Sequence, residues 1–85
     1  MIQTSLSDEL ETLRNTLRDV VRSCGFPDSA SGCIFRMIDA GELDVALETL
    51  QDNISEYEEL RQSANLHERV TALRQRLEQV PSKYR

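Results

Sequence analysis

Leu6, Leu10, Leu13, Leu17, Val20 and Cys24 are spaced 4, 3, 4, 3 and 4 residues apart. An α-helix turns about 100° per residue, so this spacing lays six apolar side chains along one stripe. A strand would need a period of two. The pattern recurs near the other end, where Leu66, Val70, Leu73, Leu77 and Val80 step by 4, 3, 4 and 3. Two such stripes must each be covered, either by one another within the chain or by a second copy in a coiled-coil dimer. Each stripe is shorter than the three to four heptads that sustain a coiled coil. The expectation is therefore an all-α fold: a small single-domain bundle of about four helices across residues 1–85, with a flexible tail at about 82–85.

Punctuation divides the chain. Ser5 and Asp8 have the spacing of a capping box at the start of the first helix, and Gly25 followed by Pro27 ends it. A short second helix follows, with Asp28 or Ser29 as its cap, Cys33, Ile34, Met37 and Ile38 on its apolar face, and Gly41 at its end. Gly32 inside it costs about 1 kcal/mol relative to Ala. Leu43, Ala46, Leu47, Leu50 and Ile54 mark a third helix. Residues 55–64 have helical propensity but no clean stripe, and a break is expected between Tyr57 and Ser63. Asn65 with Glu68 has capping-box spacing for the last helix, which Pro81 stops. The core is expected to contain Leu10, Leu13, Leu17, Leu47, Leu50, Val70, Leu73 and Leu77.

With 85 residues, one core is all the chain can build, and at that size it is marginal. The first residues have neither the basic region nor the apolar run of a secretory signal, and no window approaches a membrane span. A cytoplasmic protein with no membrane partner is expected, with Cys24 and Cys33 as reduced thiols.

The charge is unevenly placed. The chain has 15 acids and 10 Lys and Arg, a net charge of −5. Residues 37–60 alone hold eight acids (Asp39, Glu42, Asp44, Glu48, Asp52, Glu56, Glu58 and Glu59) and no Lys or Arg, and the remainder has an excess of bases. Asp44, Glu48 and Asp52 fall within an arc of about 80° on the third helix, opposite its apolar residues. Like charges at i,i+4 cost about 0.2–0.5 kcal/mol per pair, and a surface built for structure alone would alternate signs. Two readings stand: a solvated face, or a surface for a basic protein partner. Direct nucleic-acid binding is disfavoured, since a phosphate backbone calls for clustered Lys and Arg.

Catalytic constellations are missing. His67 is the only histidine, beside Glu68, and reads as a surface residue. Cys24 and Cys33 do not have metal-ligand spacing. A di-iron carboxylate site needs Glu-x-x-His on two helices, and one histidine cannot supply it. There is no phosphate loop and no nucleophile elbow. Neither an enzyme nor a cofactor is expected. Of the four aromatics, Phe26 follows a helix stop and should fold back on the core. Tyr57 lies among acids, as an interface anchor or as packing.

The segment MIDAGELDVALETLQDNISE is more specific than its charge. Ile38, Asp39, Gly41, Glu42, Ala46, Leu47, Glu48, Leu50, Asp52, Asn53 and Glu56 follow a pattern of Ile-Asp-x-Gly-Glu, then Ala-Leu-Glu-x-Leu, then Asp-Asn and a Glu. This resembles the signature of the MafI-type immunity proteins of bacterial polymorphic toxin systems. The match covers about a quarter of the chain. It departs after Tyr57, where family members tend to carry a Pro-containing turn and this chain has EELRQSA. The resemblance implies a cytoplasmic, non-enzymatic inhibitor of one cognate toxin domain. Many such toxins are nucleases, whose clefts are basic because they hold a polyanion. Asp44, Glu48, Asp52, Glu56, Tyr57 and Glu59 are then the candidate partner-binding residues. Asp39 and Glu42 are candidate caps of the third helix. A generic helical interaction module, such as a secretion chaperone or dimeric adaptor, is the alternative. The oligomeric state is not legible in the sequence.

Overall fold

The two apolar stripes cover one another within the chain. In the computed structural model, which describes residues 6–80 and their side chains from Asp8 onward, the stripes lie on α1 (Leu6–Cys24) and α5 (Ala64–Glu78). The helices run antiparallel. Near the start of α5, Arg69 Nη1 donates to Ser23 Oγ at 3.3 Å, at the end of α1. Near the end of α5, Arg76 Nη2 lies 3.5 Å from Glu9 Oε1, at the start of α1. Between them come α2 (Asp28–Asp39), α3 (Leu43–Glu56) and a single turn, α4 (Glu58–Arg61). The architecture is the all-α bundle that the periodicity predicts, with four substantial helices and one short one among the described residues. The Ser5 half of the first capping box, the Pro81 stop, Tyr84 and the 82–85 tail lie outside the described residues.

Every expected core position is buried except Leu10, which is half-buried against the core. On α3 the apolar face is complete: Leu43, Ala46, Leu47, Leu50 and Ile54 are all buried. Val21, off the main stripe of α1, is also buried, because α1 is flanked by α2 as well as α5. Phe26 folds back into the core as expected. Cys24 and Cys33 are free thiols.

The corrections fall at helix ends. Pro27, not Asp28 or Ser29, is the N-cap residue of α2, and no side chain caps that end. Its ring presets φ at −55°, and its carbonyl accepts from the Ala30 and Ser31 N–H groups, both at 3.0 Å. Asp28 thereby moves inside the first turn, where its charge faces the positive end of the helix. On α5 the cap is Ser63, not Asn65: the Leu66 N–H donates to Ser63 Oγ at 3.2 Å. Starting the helix at Ala64 makes Leu66 its third residue and puts it in the core. The break expected between Tyr57 and Ser63 is sharper than anticipated. Tyr57 (φ −114°, ψ 116°) and Ser63 (φ −78°, ψ 104°) are extended, and between them Glu58–Arg61 form α4.

The α2–α3 corner is set by Gly41. Its φ is +81°, a left-handed conformation that L side chains rarely adopt. The Glu42 N–H donates to the Met37 carbonyl at 2.9 Å, and the Gly41 N–H to the Ile38 carbonyl at 3.0 Å. These are the two bonds of a Schellman motif, which satisfies the last carbonyls of α2. A Cβ on Gly41 would meet only Arg14 Nη2, at 3.8 Å, an ordinary contact. Gly41→Ala should therefore cost about 1–2 kcal/mol through backbone conformation alone. Urea unfolding measures it, and an unshifted midpoint would remove this corner as the reason for the glycine.

Candidate functional site

Asp39 does not cap α3. It is the last residue of α2, and Arg18 Nη2 on α1 donates to its Oδ1 at 2.6 Å. Ala40 and Gly41 separate Asp39 from the start of α3, so Arg18 captures the carboxylate instead. The Arg18 side chain is three-quarters buried and the Asp39 side chain about two-thirds exposed. The pair ties the end of α2 to α1 in partial contact with solvent, where an ion pair contributes about 1 kcal/mol or less. Glu42 does occupy the N-cap position of α3, but with its backbone only. Its carbonyl accepts from the Ala46 N–H at 2.9 Å, and its side chain makes no capping bond.

The expected partner-binding residues all lie at the surface. Asp44, Glu48, Asp52 and Glu56 are exposed along α3, over about 18 Å at the helical rise. Among the described residues no ion pair holds Glu48, Asp52, Glu56 or Glu59. Val45 stands within this stripe and is 46 % exposed. At the foot of the stripe Tyr57 is 39 % exposed. These two are the exposed large hydrophobic residues among those described, and both adjoin the acids. Val45 escaped the sequence reading, although at about 100° from Asp44 it points between the directions of Asp52, at about 80°, and Glu56, at about 120°.

The structure gathers Glu56, Tyr57 and Glu59 at one end of the face. With Glu58, Leu60, Cys24, Gly25 and Phe26 they line a groove of about 460 Å³. It forms because the α1–α2 link carries Phe26 to the α3–α4 turn. The Phe26 and Tyr57 rings meet there at a centroid distance of 5.8 Å, tilted by 42°. Tyr57 thus touches Phe26 and still presents surface to solvent. The partial burial of Cys24 pushes its thiol above its ordinary pKa, with the Arg69 charge pulling partly back, so it is neutral at neutral pH.

His67 is exposed, and its Nε2 is hydrogen-bonded to the Arg61 carbonyl at the end of α4. The carbonyl only accepts, so Nε2 carries the proton in this contact. Among the described residues no three His, Cys, Asp or Glu side chains come together as a metal-ligand set. Nor, among those residues, is any helix long and apolar enough to cross a membrane.

The signature segment can now be sorted by what each residue does. Ile38, Ala46, Leu47 and Leu50 are core. Gly41 makes the corner, Asp39 pairs with Arg18, and Glu42 opens α3 with its backbone. The Asn53 side-chain amide donates to the Thr49 carbonyl at 2.9 Å. Glu48, Asp52 and Glu56 are left with no such intramolecular task among the described residues. Fold and surface together define a small helical protein with one acidic face that carries two exposed apolar side chains. No family model, curated protein or solved structure matches the chain.

Proposed function

We propose that the chain is a cytoplasmic, non-enzymatic immunity-type inhibitor that binds a basic toxin domain, such as a nuclease, with the acidic face of α3. The supporting observation is the sorting of the signature segment. After its structural residues are accounted for, three acids remain on one exposed stripe, with exposed Val45 at its head, one turn before Glu48, and Tyr57 at its foot. Acids alone would suit a solvated face. Acids around exposed apolar side chains suit an interface, where apolar contact supplies affinity and charge supplies steering and register. A basic cleft that holds a polyanion is a natural complement. The toxin comes from the resemblance of residues 37–56 to the immunity signature. The test is co-expression of the chain with the toxin domain encoded beside it. Growth rescue together with co-purification of the two chains supports the proposal. A toxin that kills at full strength while the folded chain is abundant overturns it.

A further inference from the structure

We infer that the groove at the α3–α4 turn receives an arginine side chain from the protein partner, stacked on Tyr57 and held by Glu56, Glu58 and Glu59. This deepens the proposed function and rests on it for the partner's identity, but not for the groove's chemistry.

Four features select a cation. Three of the eight lining residues are carboxylates, and none is a base. Two helices also end at the groove, α1 at Cys24 and α3 at Glu56. Helix C-termini carry negative partial charge from their unsatisfied carbonyls. α3 has no basic residue in its last turn to offset it. The base in the last turn of α1, Arg22, is engaged with Asp19 at 3.3 Å and with the Phe35 ring at 5.7 Å. α4 starts here, but a single turn opposes this field only weakly.

The walls favour arginine over lysine. A guanidinium is planar, stacks on an aromatic face and forks onto carboxylates, whereas an ammonium is a compact, strongly hydrated charge. Tyr57, 39 % exposed and lining the groove, is the aromatic available for stacking. Half-buried Leu60 and the neutral Cys24 thiol give an apolar floor for the methylene stem. Tyrosine and arginine are also among the residues enriched at interface hot spots, which tend to pair across an interface.

An NMR titration of the full chain with the blocked tripeptide acetyl-Gly-Arg-Gly-amide tests the site, with the citrulline analogue as the neutral isostere. Amide shifts should concentrate at Gly25, Phe26 and residues 57–60, weaken with salt, and be absent with citrulline. Tyr57→Leu should weaken binding by about two- to fivefold, the range expected of a partly exposed cation–π contact. Glu56→Gln with Glu59→Gln should weaken it by about threefold or more. Helical circular dichroism, unchanged in both variants, keeps the comparison interpretable. Shifts spread along residues 44–52 without preference for the groove, or equal shifts with citrulline, would overturn the inference. So would a doubled mass with the same shifts in the absence of peptide, which would assign the groove to a second copy. Because the titration uses the chain alone, its failure leaves the acidic-face proposal standing, and failure of growth rescue leaves the groove standing.

Discussion

Leu47→Ala should destabilise the protein by about 2–5 kcal/mol, a large part of the total for so small a domain. Leu47 is 2 % exposed and sits on the central helix of the core, facing both long stripes. The structure places it beside a residual void of about 10 Å³, lined by Leu13, Leu17, Leu43, Leu47, Leu73 and Leu77. That space is apolar and at the lower limit for one water molecule, so water will not fill it. Truncating Leu47 enlarges an existing gap rather than opening a fresh one, and the five other leucines, fixed on helices of about four to five turns, can collapse only partly. The cost should fall in the upper part of the range, since it grows with the cavity left behind. Thermal unfolding should shift down by about 10 °C or more. Val45→Ala, on the exposed side of the same helix, is the control and should change little. A Leu47→Ala protein that melts with the parent would mean that the helices do not pack through α3.

Periodicity made most of this fold legible, because a 3.6-residue repeat is a local signal that tertiary packing reinforces. The stripe from Leu66 to Val80 predicts α5, and the apolar residues from Leu43 to Ile54 predict α3. Caps were less legible for a different reason. Ser63 and Asn65 are both good N-cap residues two positions apart, and the burial of Leu66 goes with the choice of Ser63. Asp39 was expected to cap the helix that follows, yet Arg18, distant in sequence, holds its carboxylate. The acidic stripe was readable from composition and spacing. The groove beside it was not, since it requires Phe26 from one interhelical link to meet Tyr57 from another. The resemblance to an immunity signature also reads differently in three dimensions, because most of its residues maintain the α2–α3 corner and the core. Its exposed acids Glu48, Asp52 and Glu56 are left without such a task among the described residues.

Those acids give the second large effect. If the proposed function holds, Glu48→Lys with Asp52→Lys should weaken binding to a basic toxin domain strongly while leaving the fold intact. Both side chains are exposed, and neither holds an ion pair among the described residues, so no internal contact is lost. On the helix, the change converts the like-charge spacings of Asp44 with position 48 and of Glu56 with position 52 into attractive ones, each worth about 0.2–0.5 kcal/mol. It also places a positive charge near the C-terminal end of α3, which has no base in its last turn. The melting temperature should therefore hold or rise. At the interface two effects separate by kinetics. If a position lies on the rim, reversal slows association, and the parent's association rate falls as salt screens the steering field. If it faces a desolvated Arg or Lys, dissociation accelerates and the loss reaches about 2–5 kcal/mol. Binding kinetics at two salt concentrations, measured beside a melting curve of the same variant, distinguish these outcomes. A double reversal that melts like the parent and binds with unchanged rates would return the α3 stripe to a solvated surface, with its two exposed apolar side chains unexplained.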